Sequence, residues 1–87
     1  MHLTREQICI AAEIDTRVRD LVGAGCDDTA ILAEMYEQMP SFKRLLDTAR
    51  PSDMDELCRR FPWFYRYAKL LEGLAAGIKS GTIKVPK

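Results

Sequence analysis

The chain has 87 residues, of which 47% are hydrophobic and 30% are charged, and its formal net charge is zero. A chain of this size buries enough surface for one core, and this composition argues against disorder. No apolar run approaches the roughly 18 residues that a membrane span requires, and the first residues lack the pattern of a secretory signal. We therefore expect one soluble, cytoplasmic domain.

Thr4 and Gln7 form a capping box, which predicts that the first helix begins there. The apolar residues that follow recur at helical spacing up to Gly23, where glycine favours a helix end. Asp15 and Arg19 lie at the margin of this apolar arc and are four residues apart. We expect them to pair with each other.

A second helix is predicted to begin at Asp27 or Asp28, because aspartate is a good N-cap residue. Its apolar stripe includes Tyr36. Pro40 is expected to end this helix, since proline cannot donate the backbone hydrogen bond of a helix interior.

Two further short helices follow in the prediction. Ser41 is expected to cap the first of them, which buries Leu46 and closes before Pro51. Ser52 and Asp55 have the spacing of a capping box and predict the start of the next.

The last predicted helix begins with Pro62, because proline is favoured in the first turn of a helix. It extends to Ser80 and carries two adjacent apolar stripes. The first stripe contains Phe61, Phe64, Ala68, Leu71, Ala75 and Ile78. The second stripe contains Trp63, Tyr67, Leu70 and Leu74.

These elements predict an all-α fold: a small single-domain bundle of four to five helices, with long first and last helices and short helices between them. The domain spans residues 1–87, and residues 1–3 and 82–87 are expected to be flexible ends. No alternating hydrophobic run indicates a strand.

Charge is distributed unevenly along the chain. Residues 1–40 carry three Lys or Arg against eight Asp or Glu, whereas residues 41–87 carry ten against five. Two interpretations stay open: two solvated faces of opposite sign, or a basic surface that binds an acidic partner.

The sequence contains none of the common catalytic, phosphate-binding or metal-binding motifs. Cys9, Cys26 and Cys58 lack the spacing of a zinc site or a disulfide framework, and the one histidine, His2, lies near the terminus. We therefore predict no enzyme, no metal and no cofactor.

The leading prediction is a non-enzymatic protein-interaction module. The last helix has two apolar stripes and only short helices to cover them, and exposed Trp and Tyr are enriched at interfaces. The second stripe is therefore the predicted partner groove or homodimer seam, together with a nearby basic patch. The predicted partner-binding residues are Trp63, Tyr67, Leu70, Leu74, Arg59, Arg60, Arg66 and Lys69.

The alternative prediction is a DNA-binding accessory protein. If Met39-Pro40-Ser41 were the turn of a helix-turn-helix, the reading helix would open with donors suited to a DNA groove. The nucleic-acid-binding residues would be Ser41, Lys43, Arg44 and Arg50. This turn, followed by the stretch FPWFYRYAKLLE, resembles the helix-turn-helix small subunits of phage DNA-packaging terminases, which implies a phage or mobile-element protein. The sequence pI of about 6.6 is lower than dedicated nucleic-acid domains have.

Overall fold

The computed structural model describes residues 3–80, with side chains up to residue 77. Within that range the chain forms five α-helices, a short 3-10 turn and no strand, which confirms the predicted all-α bundle with long first and last helices. The helices are α1 (Arg5–Gly23), α2 (Asp28–Glu34), α3 (Met39–Thr48), α4 (Pro51–Arg60) and α5 (Pro62–Ser80), and the 3-10 turn is Tyr36–Gln38. Leu3, predicted to belong to a flexible end, packs against the core. The remaining predicted ends, with His2, lie outside the described residues.

The predicted capping box starts α1. The Gln7 backbone N–H donates to the Thr4 hydroxyl at 3.0 Å, and the Thr4 backbone N–H donates to the Gln7 side chain at 2.9 Å. After α1 the chain turns through Gly25, whose φ of 90° lies in the left-handed region that glycine adopts at least cost. Asp27 then caps α2 by accepting from the Ala30 N–H at 2.9 Å.

The prediction around Pro40 is wrong. The second helix ends at Glu34, and Pro40 lies in the first turn of α3, where a missing N–H costs nothing. Ser41 is therefore inside α3 and does not cap it. The 3-10 turn between the two helices points Tyr36 outward, with 70% of its surface exposed.

The predicted start of α4 also shifts. Pro51 begins the helix, and the Arg50 N–H donates to Asp53 Oδ2 at 3.0 Å. Ser52 lies inside α4, so the helix starts two residues earlier than predicted. Asp53 is the third residue of α4, and its carboxylate accepts the hydrogen bond from the backbone N–H of Arg50, the residue before the helix.

Helices α1 and α5 form the most extensive helix pair of the described chain. Asp15 on α1 lies at the start of α5, where its Oδ1 accepts hydrogen bonds from the N–H groups of Trp63 at 2.8 Å and Phe64 at 3.1 Å. The predicted pair with Arg19 does not form. Arg19 lies instead 3.7 Å from the Asp20 carboxylate.

Three aromatic rings fill the centre of the core. Phe42 lies 5.7 Å from both Phe64 and Tyr67, measured between ring centroids, and meets Tyr67 edge to face. Tyr67 is fully buried, and its hydroxyl donates to the Met35 carbonyl oxygen at 3.1 Å. This bond ties α5 to the end of α2.

Burial of Tyr67 has a consequence at alkaline pH. It raises the pKa of Tyr67 to about 12, whereas an unfolded tyrosine ionises near 10. The native state thus favours the protonated phenol. The contribution of the protonated Tyr67 side chain to the stability of the fold is complete below about pH 10 and is lost as the pH rises towards about 12. At neutral pH we expect Tyr67→Phe to cost about 1 kcal/mol of unfolding free energy.

Urea unfolding of both proteins between pH 8 and 12 measures this effect. The difference in unfolding free energy between wild type and Tyr67→Phe should shrink above about pH 10, because only the wild type has the phenol to ionise. A difference that stays constant across this range would contradict the assignment.

Candidate partner-binding groove

The second apolar stripe of α5 faces the interior more than the sequence predicts. Tyr67 is a core residue, and Trp63 and Leu70 are half-buried and pack against the core. Leu74 is also half-buried. Because Tyr67 has no exposed surface, it cannot contact a partner, and the predicted seam along this stripe is interrupted at its centre.

An open apolar groove lies instead beside the first stripe of α5. It has a volume of about 500 Å³ and runs between α3, α4 and α5. Its apolar lining comes from all three helices and comprises Phe42, Leu46, Met54, Cys58, Tyr65, Ala68, Leu71 and Ala75. Ile78, the last member of the predicted stripe, has no described side chain.

Two large apolar side chains stand at the edges of this groove. Leu46 on α3 is 50% exposed, and Tyr65 on α5 is 46% exposed. The sequence predicts that Leu46 is buried, because Leu45 and Leu46 lie three and four residues after Phe42 on the same helix. In the structure Phe42 and Leu45 face the core and Leu46 lies at its border, so these three helices leave part of their apolar surface uncovered.

The polar residues of the groove are Asp55, Lys69 and Glu72. Lys69 Nζ lies 3.4 Å from Glu72 Oε2 and 5.7 Å from the centre of the Tyr65 ring. The Glu72 carboxylate, followed by Tyr65, raises the pKa of Lys69. Asp55 makes no ion pair among the described side chains, so it leaves one uncompensated negative charge on the groove.

Cys58 is the thiol of the groove. Burial, followed by the nearby Asp55 carboxylate, raises the pKa of Cys58, while Lys69 acts in the opposite direction. A raised thiol pKa reduces the thiolate that alkylating reagents attack. We therefore expect Cys58 to react more slowly than an unperturbed thiol, and its modification can report whether the groove is covered.

The predicted basic patch is largely compensated by carboxylates. Arg59 and Arg60 both pair with Glu56, at 2.9 and 2.8 Å. Hydrogen bonding to Arg60, together with the charges of both arginines, lowers the pKa of Glu56 against a smaller opposing effect of burial. Arg66 pairs with Asp28 on α2 at 3.1 Å. With Lys69 bound to Glu72, the patch has four cations and three carboxylates, and a strongly basic surface is absent from this part of the described chain.

The turn predicted for the DNA-reading surface lies at a different position in the structure. Met39, Pro40 and Ser41 form the first turn of α3, so no helix-turn-helix turn exists there. Of the predicted DNA contacts, Lys43 pairs with Asp47 at 3.0 Å and Arg50 lies 3.8 Å from Asp53. Arg44 is the one exposed cation of that set without an ion pair in residues 3–77.

Comparison with known proteins assigns no family. No family model matches this chain, and neither a curated protein nor a solved structure matches it.

The described residues contain neither a candidate membrane span nor a candidate metal site. No helix there is both long and apolar enough to cross a membrane. In the same part of the chain, no three His, Cys, Asp or Glu side chains come together in a group that could hold a metal ion.

Proposed function

We propose that this protein is a non-enzymatic interaction module that binds an amphipathic helix of a partner protein in the groove between α3, α4 and α5. The observation that carries the proposal is the groove itself, an open and mostly apolar depression with Leu46 and Tyr65 exposed at its edges. Exposed apolar surface of this kind is costly in water and is covered when a partner binds.

A helix fits this groove better than an extended peptide does. The walls of the groove are side chains of three helices, which offer no strand edge to pair with a backbone. A helix satisfies its own backbone hydrogen bonds and can bury one apolar face without leaving donors unpaired. The α5 wall contributes the small side chains of Ala68 and Ala75, so the partner can approach closely there.

The charge of the groove predicts a second property of the partner helix. Asp55 is the uncompensated charge of the groove, since Lys69 and Glu72 pair with each other. A Lys or Arg beside the apolar face of the partner helix would complement it and favour one orientation.

The proposal is tested with a photo-crosslinking amino acid placed at Leu46 and, as a control, at Thr16 on the exposed face of α1. The protein that crosslinks from Leu46 in the source cell is identified and purified, and its affinity is measured by calorimetry. We expect Leu46→Asp to weaken binding at least about 10-fold and Thr16→Asp to leave it unchanged. Because Leu46 is half exposed, Leu46→Asp should cost less than about 1 kcal/mol of stability.

Cys58 provides an independent measurement in the same experiment. In a variant with Cys9→Ser and Cys26→Ser, the purified partner should slow alkylation of Cys58, because the bound helix covers the thiol. Crosslinks to nucleic acid, crosslinks to a second copy of this chain, or a partner that binds Leu46→Asp as well as wild type would each contradict the proposal.

A further inference from the structure

A second surface, separate from the partner-binding groove, surrounds Tyr36 at the start of α3. It is an apolar recess of about 500 Å³ lined by Tyr36, Glu37, Met39, Pro40 and Lys43. It shares no lining residue with the groove between α3, α4 and α5. Tyr36 is the most exposed large apolar residue in the described chain, at 70%.

The turn that contains Tyr36 is held in place by contacts of the preceding residue with the core. Met35, the residue before it, is fully buried, and the Met35 carbonyl oxygen accepts from the Tyr67 hydroxyl at 3.1 Å and from the Gln38 N–H at 2.9 Å. On the other side of Tyr36, Pro40 restricts φ in the first turn of α3. The exposed ring therefore projects from a backbone that is already ordered, which lowers the entropy cost of binding.

Two carboxylates close to Tyr36 in the sequence have no cationic partner in the described chain. The sequence has no Lys or Arg between Arg19 and Lys43, while this interval holds five Asp or Glu. Glu34 and Glu37, on either side of Tyr36, are exposed and make no ion pair within residues 3–77. Lys43, the one cation that lines the recess, pairs with Asp47 at 3.0 Å, and Arg44, which has no ion pair, does not line it.

We infer that this recess binds an arginine-containing cationic segment of a partner protein. A guanidinium can stack on the exposed face of Tyr36 and donate to the Glu34 or Glu37 carboxylate, which an ammonium does less well. An aliphatic side chain beside that arginine would fill the recess against Met39 and Pro40. Charge complementarity thus decides the occupant, and the apolar recess gives it a place to anchor.

The test is a selection from a random peptide library displayed on phage, using the purified full chain as bait. Enriched peptides are synthesised, and their affinities are measured at two salt concentrations. We expect the enriched peptides to contain arginine, and we expect Tyr36→Ala and the double variant Glu34→Gln, Glu37→Gln each to weaken binding about 10-fold. Replacing the arginine of a selected peptide by citrulline should have a similar effect.

Two controls separate this recess from the groove and from misfolding. Leu46→Asp should leave affinity for these peptides unchanged, whereas it is expected to weaken binding of a helix in the groove. Circular dichroism should show that Tyr36→Ala folds, since the side chain is mostly exposed. If the selection enriches no peptide, or peptides without cations, or peptides that bind Tyr36→Ala with wild-type affinity, the inference is wrong, whatever the outcome at the groove.

Discussion

Phe64→Ala should destabilise the protein by about 3–5 kcal/mol, the largest effect we expect from a single substitution. Phe64 is fully buried and packs against the Phe42 ring. Removing it deletes apolar surface and leaves a cavity that fixed neighbours cannot fill. Domains of this kind have a total stability of about 5–15 kcal/mol, so the variant should be partly unfolded at 37 °C.

Urea unfolding followed by circular dichroism measures this loss, and the neighbouring residue supplies the control. Tyr65→Ala removes an aromatic ring one position away in the same helix, but Tyr65 is 46% exposed at the groove edge. We expect it to cost less than about 1 kcal/mol. Equal losses of unfolding free energy in Phe64→Ala and Tyr65→Ala would show that the buried face of α5 has been assigned wrongly.

Asp15→Ala should cost about 2 kcal/mol, although Asp15 is a polar residue at the margin of an apolar face. The first turn of a helix has N–H groups without partners inside the helix. Phe61, which precedes α5, has no side-chain acceptor, and Asp15 Oδ1 supplies one to both Trp63 and Phe64. Its negative charge also lies at the positive end of the helix dipole.

Hydrogen exchange distinguishes this cap from a general effect of charge. In Asp15→Ala the amides of Trp63 and Phe64 should exchange faster, while Asp15→Asn, which retains an acceptor, should lose about half as much stability as Asp15→Ala. Glu13→Ala is the matched control, because Glu13 is exposed on α1 and caps no helix. If Asp15→Ala behaves like Glu13→Ala, the cap contributes nothing.

Local sequence signals predict the ends of helices best where a residue is compatible with only one position relative to a helix. The Thr4–Gln7 box and Pro62 each mark a helix start, and the structure has helices starting there. Pro40 is compatible with two roles, because a residue without an N–H can follow one helix or begin the next. Sequence alone gives no means to choose, and the helix-turn-helix prediction placed its turn at Met39-Pro40-Ser41, whereas the connection between α2 and α3 ends before Met39.

The two apolar stripes of α5 show a second limit of prediction from sequence. Periodicity places two apolar stripes side by side, but it cannot tell which residues of each are buried. In the structure Phe64 of the first stripe and Tyr67 of the second are both in the core, while Leu71 of the first lines the groove. Long-range hydrogen bonds accompany the observed choice: Asp15 meets the start of α5 and Tyr67 meets Met35. These pairs are far apart in sequence, and the groove that results on the other face could not be predicted without them.

The Asp15 cap also affects how the groove is assembled. Asp15 does not line the groove, yet it caps the helix that forms one wall, and 48 residues separate Asp15 from Trp63. The third wall of the groove is α5, and α5 is held in place by its packing on α1. A fragment that begins after α1 would contain every lining residue of the groove and lack the acceptor that α5 needs. Minimal versions of the binding surface should therefore retain α1.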